Sequence, residues 1–241
     1  MLRKVHLTKN GFSEKLKWGW RRAIAWYFFE ALKRFLNLHI YRVWTSSGPD
    51  TAWEALLPKT IPEEYPTRIL QPMDLVQFAT PENDLSSEFL EEAQARGDRC
   101  RAVFYEGEVV SYGFSSYSRA PVVSKLDMLV PPGRVYTYKS WTHPEHRRKG
   151  LTLLLAKAAI DHRQQTGEKK KVGFWYIEYN NYPSLLTDRY EPPEQRPFYL
   201  GIVAWAQYFG RLFVYNGRKA KWMGTVLVRK DESPTRTYPY T

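Results

Sequence analysis

The segment between residues 134 and 178 constrains the fold most, because it predicts a strand, a basic glycine turn, a helix and a second strand in succession. The first strand is Arg134–Thr142, and the apolar, β-prone run Val172–Glu178 predicts the second. The intervening helix starts at Leu151, and Gly167 after its end suits a left-handed C-terminal cap. The apolar positions expected on its buried face are Leu151, Leu154, Leu155, Ala158, Ala159 and His162. This unit predicts an α/β fold with a mixed sheet.

The turn that opens this helix has the features of a phosphate site. Free backbone N–H groups at a helix start point the same way and lie at the positive end of the helix dipole. Arg147, Arg148 and Lys149 add positive charge, and Gly150 has no Cβ to block a ligand. The turn is neither a Walker A loop nor a GxGxxG dinucleotide fingerprint. A different phosphate-containing ligand is therefore expected.

The turn resembles the acyl-CoA-binding signature Gln/Arg-x-x-Gly-x-Gly/Ala of the GCN5-related N-acetyltransferase (GNAT) superfamily. Arg147 and Gly150 match the signature, whereas Thr152 replaces its final Gly/Ala. After the second strand, Asn181 and Ser184 match a further Asn-x-x-Ser pattern of the family. The resemblance extends over roughly residues 65–230.

The resemblance implies a GNAT-like acyl-CoA N-acyltransferase fold in which the two parallel strands splay into a V that admits the thioester. Backbone N–H groups around Trp141 and Thr142 would meet the thioester carbonyl, and those of residues 148–152 would hold the pyrophosphate. Asn181 would contact the pantetheine arm or hold the strands apart. The implied residues for acetyl-CoA, or another acyl-CoA, are Trp141, Thr142, Arg147, Arg148, Lys149, Gly150, Leu151, Thr152, Asn181 and Ser184.

The catalytic residues are less constrained by the sequence. An attacking ammonium must lose a proton, and Glu178 at the end of the second strand is the first candidate for the base. The family often protonates the leaving thiolate with a tyrosine, for which Tyr190 and Tyr199 are the candidates. No metal is expected, since His143 and His146 lack a third ligand at usable spacing. Cys100 lies in an apolar strand and is expected in the core.

The predicted function is transfer of acetyl from acetyl-CoA, by direct attack, to an amine of a small molecule or amino sugar. One alternative keeps the fold but uses a long-chain acyl or aminoacyl donor. Another is a CoA-binding module without catalysis.

The basic charge is concentrated at the N-terminus, where residues 1–44 hold ten Lys/Arg and two acidic residues out of a net charge of +11 for the chain. Because the remainder is only weakly basic, no nucleic-acid partner is expected. We therefore divide the chain into a basic, aromatic, amphipathic helical extension, residues 1–45, and an acyltransferase domain, residues 60–241.

A long helix over residues 13–37 is predicted in that extension, with Ser13 as its N-cap. Its apolar stripe comprises Leu16, Trp20, Ile24, Tyr27, Phe28, Ala31, Leu32 and Phe35. The stripe either packs on the domain or lies on an anionic membrane surface. A single cysteine and no apolar signal segment predict a cytoplasmic protein, with peripheral contact at the inner membrane surface.

Several further elements follow from local patterns. Residues 100–116 predict a hairpin that turns at Glu106-Gly107, and Asp84–Ala95 predicts a helix. Tyr199–Tyr215 and Lys221–Val228 are expected to be strands. The charged run Glu168–Lys171 is expected to be a solvated loop, and a short helix is predicted over Ser184–Tyr190.

Overall fold

The computed structural model describes residues 19–45, 57–123, 125–169, 171–179, 181, 198–208, 211–222 and 226–230. The helices are α1 (Trp20–Leu36), α2 (Ser87–Ala95), α3 (Leu151–Thr166) and α4 (Arg218–Trp222), with 3₁₀ turns at Pro72–Phe78 and Pro144–His146. The strands are β1 (Leu38–Thr45), β2 (Thr67–Leu70), β3 (Arg99–Tyr105), β4 (Glu108–Ser116), β5 (Arg119–Val123), β6 (Leu126–Leu129), β7 (Arg134–Thr142), β8 (Val172–Glu178), β9 (Phe198–Tyr208), β10 (Arg211–Asn216) and β11 (Leu227–Arg229).

Eight strands form one mixed sheet in the order β10-β9-β1-β8-β7-β4-β3-β2, and β11-β6-β5 form a small second sheet. In the large sheet β7 and β8 are parallel, and the other pairs are antiparallel. The mixed α/β class predicted from the sequence is therefore confirmed. The predicted hairpin is β3–β4, and both Glu106 (φ 51°) and Gly107 (φ 88°) have the positive φ of a two-residue turn.

The two faces of the large sheet are covered by different elements. One buried cluster joins the sheet to α2 and to the small sheet, through residues such as Leu90, Phe114, Met128 and Phe174. The second cluster joins β3 and β4 to α3, whose Leu151, Leu154 and Leu155 are buried there. Helix α3 thus packs on the sheet through its predicted face, of which Ala159 and His162 are only half-buried.

Strand β1 is the main difference from the sequence analysis, which assigned residues 1–45 to an extension. It lies inside the sheet and pairs with β8 on one side and β9 on the other. Its partners are more than 100 residues away in the chain, so no local pattern identifies them. The predicted extension therefore supplies a central strand of the domain.

Helix α1 begins at Trp20 in the structure, and residues 1–18, with the predicted cap Ser13, lie outside the described residues. It packs on β1 and β9. The face that packs includes the buried Ala23, and Phe29, whose ring centroid lies 4.3 Å from that of Tyr179. Part of the predicted apolar stripe is exposed and does not pack on the domain. Its exposed members are Trp20 (61%), Ile24 (56%), Phe28 (57%) and Phe35 (76%).

The remaining local predictions have mixed outcomes. The helix predicted over 84–95 is α2, which starts later because Ser86 caps it by accepting a hydrogen bond from the Phe89 N–H. The Lys221–Val228 strand prediction is wrong in its first part, since Lys221 belongs to α4. The helix predicted over 184–190 lies outside the described residues.

Candidate active site

Strands β7 and β8 separate toward their C-terminal ends. Their parallel ladder contains only the pairs Arg134 with Val172, Val135 with Gly173, and Tyr136 with Phe174. Beyond these pairs β7 continues along β4 to Thr142, and β8 continues along β1 to Glu178. The gap between residues 137–142 and 175–178 is the V expected from the sequence analysis.

A bulge in β7 accounts for this separation. The β4–β7 register shifts between Tyr112 and Phe114, which pair with Trp141 and Tyr138. Lys139, in the inserted stretch, has φ 43°, and its Nζ is 2.7 Å from Asp84 Oδ2. A bulge adds local twist and bends its strand, which here turns the end of β7 away from β8.

The last residues of β7 leave one backbone edge open to the V. The His143 N–H donates to the Val110 carbonyl at 2.9 Å, so this backbone N–H points toward β4. Antiparallel pairing alternates, so the Trp141 N–H also points toward β4 and the Thr142 N–H points toward β8. The Trp141 carbonyl accepts a hydrogen bond from Ser111 Oγ at 3.0 Å. Of the two donors named from the sequence, the alternation favours Thr142.

The turn before α3 presents a row of N–H groups at an open corner. Within the described residues, the N–H groups of Leu151 and Thr152 precede the first helical bonds, which Leu153 and Leu154 donate to the Gly150 carbonyl. Within the part of the chain that the structure describes, the N–H groups of Arg148, Lys149 and Gly150 also have no hydrogen-bond acceptor. A Cβ built at Gly150 would meet no heavy atom within 4 Å.

This backbone path depends on left-handed residues. Gly150 has φ 74° and Arg148 has φ 65°, both in the region that a side chain makes unfavourable. The chain reverses there and enters α3 with its N–H groups exposed. The geometry suits the diphosphate of an acyl-CoA, because anions bind at such helix starts and the corner has room for one.

The basic side chains of the turn have different surroundings. Arg147 Nε donates to the Thr142 carbonyl at 3.2 Å, which holds this guanidinium at the end of β7. Lys149 Nζ is 3.1 Å from the Tyr65 hydroxyl, which is itself 3.2 Å from His146 Nδ1. Burial and nearby Lys149 lower the pKa of His146.

Glu178 lies at the open end of the V and is held by two basic side chains. One carboxylate oxygen is 3.0 Å from Lys33 Nζ of α1 and 3.2 Å from His39 Nδ1 of β1. Burial alone would raise the pKa of Glu178, but the hydrogen bonds from His39 and Lys33 lower it overall. A small cleft of about 10 Å³ between Glu178, Lys33, Phe29 and Tyr179 has room for about one water.

The other predicted site residues are distributed unevenly. Tyr199 lies in β9 and pairs with Trp44, which in turn pairs with Trp175 of β8, so β1 separates Tyr199 from the V. The Asn181 N–H donates to the Glu178 carbonyl at 2.8 Å, just past the end of β8. Ser184 and Tyr190 lie outside the described residues.

Aromatic side chains next to the V were missed by the sequence analysis. Tyr136 and Phe174, the last ladder pair, have ring centroids 5.1 Å apart, and Tyr176 lies 5.7 Å from Tyr136. Tyr41 of β1 pairs with Glu178, and burial first and the Glu178 charge second raise its pKa to about 12. The aromatic run 174–176 marks one wall in the sequence, but Tyr41 has no local signal.

The structure also bears on the expectations for Cys100 and for a metal site. Cys100 is completely buried, as predicted, and burial raises its pKa to about 12. Among the described residues, no group of three His, Cys, Asp or Glu side chains is arranged to hold a metal ion.

Comparison with known proteins decides the family. A family model described as the acetyltransferase (GNAT) family matches residues 66–186, which is half of the chain and contains β7, the turn, α3 and β8. The chain belongs to the GNAT acetyltransferase family. No curated protein matches the sequence.

Solved structures similar to this GNAT chain have low identity to it. A GNAT-family acetyltransferase from Novosphingobium aromaticivorans is 14% identical, with a TM-score of 0.42 over 69% of this chain and 62% of that one. A GNAT-like protein from Streptococcus suis is 15% identical, with a TM-score of 0.44 over 75% and 66%. A tandem GNAT protein from the clavulanic acid biosynthesis pathway is 14% identical, with a TM-score of 0.47 over 73% and 57%. This chain thus spans less than two thirds of each.

Proposed function

We propose that this GNAT protein transfers acetyl from acetyl-CoA to an amine of a small molecule or amino sugar. The observation that carries the proposal is the row of open N–H groups at residues 148–152, placed at the end of the strand that forms one side of the V. Phosphate binding at the turn and thioester binding in the V are then parts of one continuous site.

Each part of the site has a separate role in this proposal. The N–H groups at 148–152 bind the diphosphate, and Gly150 keeps the corner accessible. The Thr142 N–H donates to the thioester oxygen, where negative charge develops as the amine attacks. Loss of one such donor typically costs about 3–4 kcal/mol of transition-state stabilisation. The two strands that form the V align the acetyl group with the amine, which raises the effective concentration of the amine.

Glu178 is the proposed proton acceptor, acting directly or through a water in the adjacent cleft. Its ion pair with Lys33 and its hydrogen bond with His39 favour the charged carboxylate, although they also make it a weaker base. The tyrosine that protonates the thiolate stays a prediction between Tyr190 and Tyr199, and β1 separates Tyr199 from the V.

A matched pair of substitutions tests the role of Glu178. Loss of a general base lowers kcat by about 10²–10⁴-fold. Glu178→Gln should show that loss and a changed pH–rate profile, whereas Lys33→Gln breaks the same ion pair but keeps the carboxylate. Equal, small losses in both variants would leave Glu178 with a structural role only.

The function itself is tested in two steps. Calorimetric titration with CoA, acetyl-CoA and palmitoyl-CoA measures binding and the acyl length accepted. Release of the CoA thiol with a panel of amines and amino sugars then measures transfer. Preference for palmitoyl-CoA would favour the long-chain donor, and binding without thiol release in any mixture would favour a CoA-binding module. No CoA binding would reject the proposal.

We further propose that α1 rests on an anionic membrane surface. No helix in the described part of the chain is long and apolar enough to cross a bilayer. The exposed residues Trp20, Ile24, Phe28 and Phe35 are spaced four, four and seven positions apart, on one side of α1. Arg21 and Arg34 carry positive charge beside this stripe, in the most basic part of the chain. Apolar burial combined with attraction to anionic headgroups is how interfacial helices bind.

Co-sedimentation of the full chain with vesicles tests this surface. Vesicles containing phosphatidylserine should pellet the protein in a salt-sensitive way, and phosphatidylcholine vesicles should not. Replacing Trp20, Phe28 and Phe35 with serine should abolish the effect. The control replaces Phe213 and Tyr215, which are 57% and 61% exposed on β10. Equal recovery with both lipids would reject the proposal, as would a concentration-dependent dimer that only the α1 variant loses.

A further inference from the structure

A cationic pocket lies under the C-terminal half of α3, away from the CoA turn. It has a volume of about 110 Å³ and is bounded by α3, by β3, β4 and β7 of the sheet, and by the loop after α3. Its α3 residues are Ala159, His162 and Arg163. At 1.5 Å per residue they lie roughly 12–18 Å along the helix from Leu151. The pocket is therefore separate from the corner at Gly150.

The lining is strongly positive. Arg99 and Arg101 come from β3, Arg163 from α3, and Lys169 and Lys171 from the loop that precedes β8. The lining residues described by the structure include one carboxylate, Glu168. That carboxylate is 2.7 Å from Arg99 Nη1 and is already committed to this pair. The lining therefore holds more positive than negative charge, and an anion bound there would reduce the repulsion among its cations.

Arg101 places a partly hydrogen-bonded guanidinium in the pocket lining. Its Nη2 donates to Ser115 Oγ at 3.1 Å, while its Nε is buried and has no hydrogen-bond partner in the described structure. Burial lowers the pKa of Arg101, because desolvation disfavours its charged form. A buried guanidinium N–H without a partner costs more free energy than an exposed one. Ser115 and Thr137 add hydroxyl groups to the same lining.

We propose that this pocket binds a small multivalent oxyanion of the size of inorganic phosphate. A guanidinium presents a planar fork of donors that matches phosphate oxygens, and the lysines add charge without a fixed geometry. Lys171 is held at the rim, with its Nζ 4.1 Å from the centroid of the Tyr117 ring. The volume of about 110 Å³ has room for a few non-hydrogen atoms, which is the size of one phosphate group. The bound anion ties α3 to β3 and to the start of β8.

Calorimetric titration of the full chain with inorganic phosphate, at constant ionic strength set with chloride, tests the pocket. The Gly150→Glu variant removes anion binding at the CoA turn, so phosphate should still bind to it at one saturable site. Arg101→Met should abolish that binding. Lys171→Gln, a substitution at an exposed position, should weaken it at least tenfold. Lys219→Gln, which removes an exposed cation from α4, is the matched control and should bind as the parent does.

The same titrations contain the results that overturn the proposal. Phosphate heat that disappears in Gly150→Glu would place the anion at the turn instead. Equal binding to Lys171→Gln and Lys219→Gln would show a general charge effect. Absence of saturable binding in every variant would reject the site, and since CoA titration reports the turn separately, this failure is distinguishable from failure of the transferase proposal.

Discussion

Substitution of Gly150 by glutamate tests the central physical claim, because it changes the corner without disturbing the core. Gly150 has φ 74° and ψ 16°, and its built Cβ meets nothing within 4 Å. The cost to folding is therefore only the left-handed strain, about 1–2 kcal/mol. For a chain of this size that corresponds to a fall in Tm of about 2–8 °C.

The effect on binding is electrostatic. A carboxylate about 5 Å from one phosphate charge costs roughly 1–3 kcal/mol for an effective dielectric constant between 80 and 20. Since about 1.4 kcal/mol is a factor of ten and the diphosphate carries more than one charge, Kd for CoA should rise at least tenfold. Gly150→Ala carries the same strain without the charge and should bind CoA far better than Gly150→Glu.

Gly167 offers a matched control at the other end of α3. Its φ of 69° and ψ of 14° nearly equal those of Gly150, and its built Cβ also meets nothing within 4 Å. Gly167→Glu should lose similar stability, or slightly more because a negative charge is unfavourable at a helix C-terminus, yet keep normal CoA affinity. Calorimetric titration with CoA measures all four proteins. A folded Gly150→Glu with unchanged Kd, or an equal loss in Gly167→Glu, would refute the assignment of the turn.

Three further predictions concern stability and reactivity. Tyr138 donates a hydrogen bond to the buried Asp98 carboxylate at 2.6 Å, so Tyr138→Phe should lower the free energy of unfolding by about 1.5–3 kcal/mol in urea titration. The control Tyr215→Phe, at an exposed position, should change it little. Folding lowers the pKa of Glu178, so its contacts with Lys33 and His39 stabilise the fold above the ordinary carboxyl pKa, and this contribution is lost as pH falls through the lowered pKa. The free energy of unfolding, measured from pH 7 to 3, should therefore be less acid-sensitive in Glu178→Gln. An identical pH dependence in the variant and the parent would contradict the pairing. Cys100, whose pKa burial raises to about 12, should react with Ellman's reagent at neutral pH only after denaturant is added, so rapid labelling of the folded protein would show that the strand is not buried.

Local signals allowed the central unit to be predicted closely. Helix α3 begins at Leu151 and ends before the left-handed Gly167, and β7 and β8 have the predicted bounds, because caps, turns and apolar runs are properties of neighbouring residues. The corner at Gly150 is open and the preceding segment is extended, as the phosphate-site argument required.

Features made by distant residues were not predicted. The run Glu168–Lys171 was expected to be a solvated loop, but Glu168 pairs with Arg99 of β3, and Lys169 and Lys171 border the cationic pocket. Glu178 has two basic partners, Lys33 and His39, that lie more than 100 residues earlier in the chain. In each case the charge was visible in the sequence, while its partner depended on the order of strands in the sheet.

The placement of β1 determines how the membrane proposal can be tested. Only Asn37, with φ 45°, separates α1 from β1, and β1 pairs with β8 along one wall of the V. Deleting residues 1–45 would therefore remove a central strand and expose the edges of β8 and β9, so loss of function in a truncated chain would say nothing about lipid. Serine substitutions on the exposed face of α1 leave the strand intact. Because Lys33 also joins α1 to Glu178, a helix held at a lipid surface would fix the orientation of the V, and vesicles should then change kcat or KM as well as sedimentation.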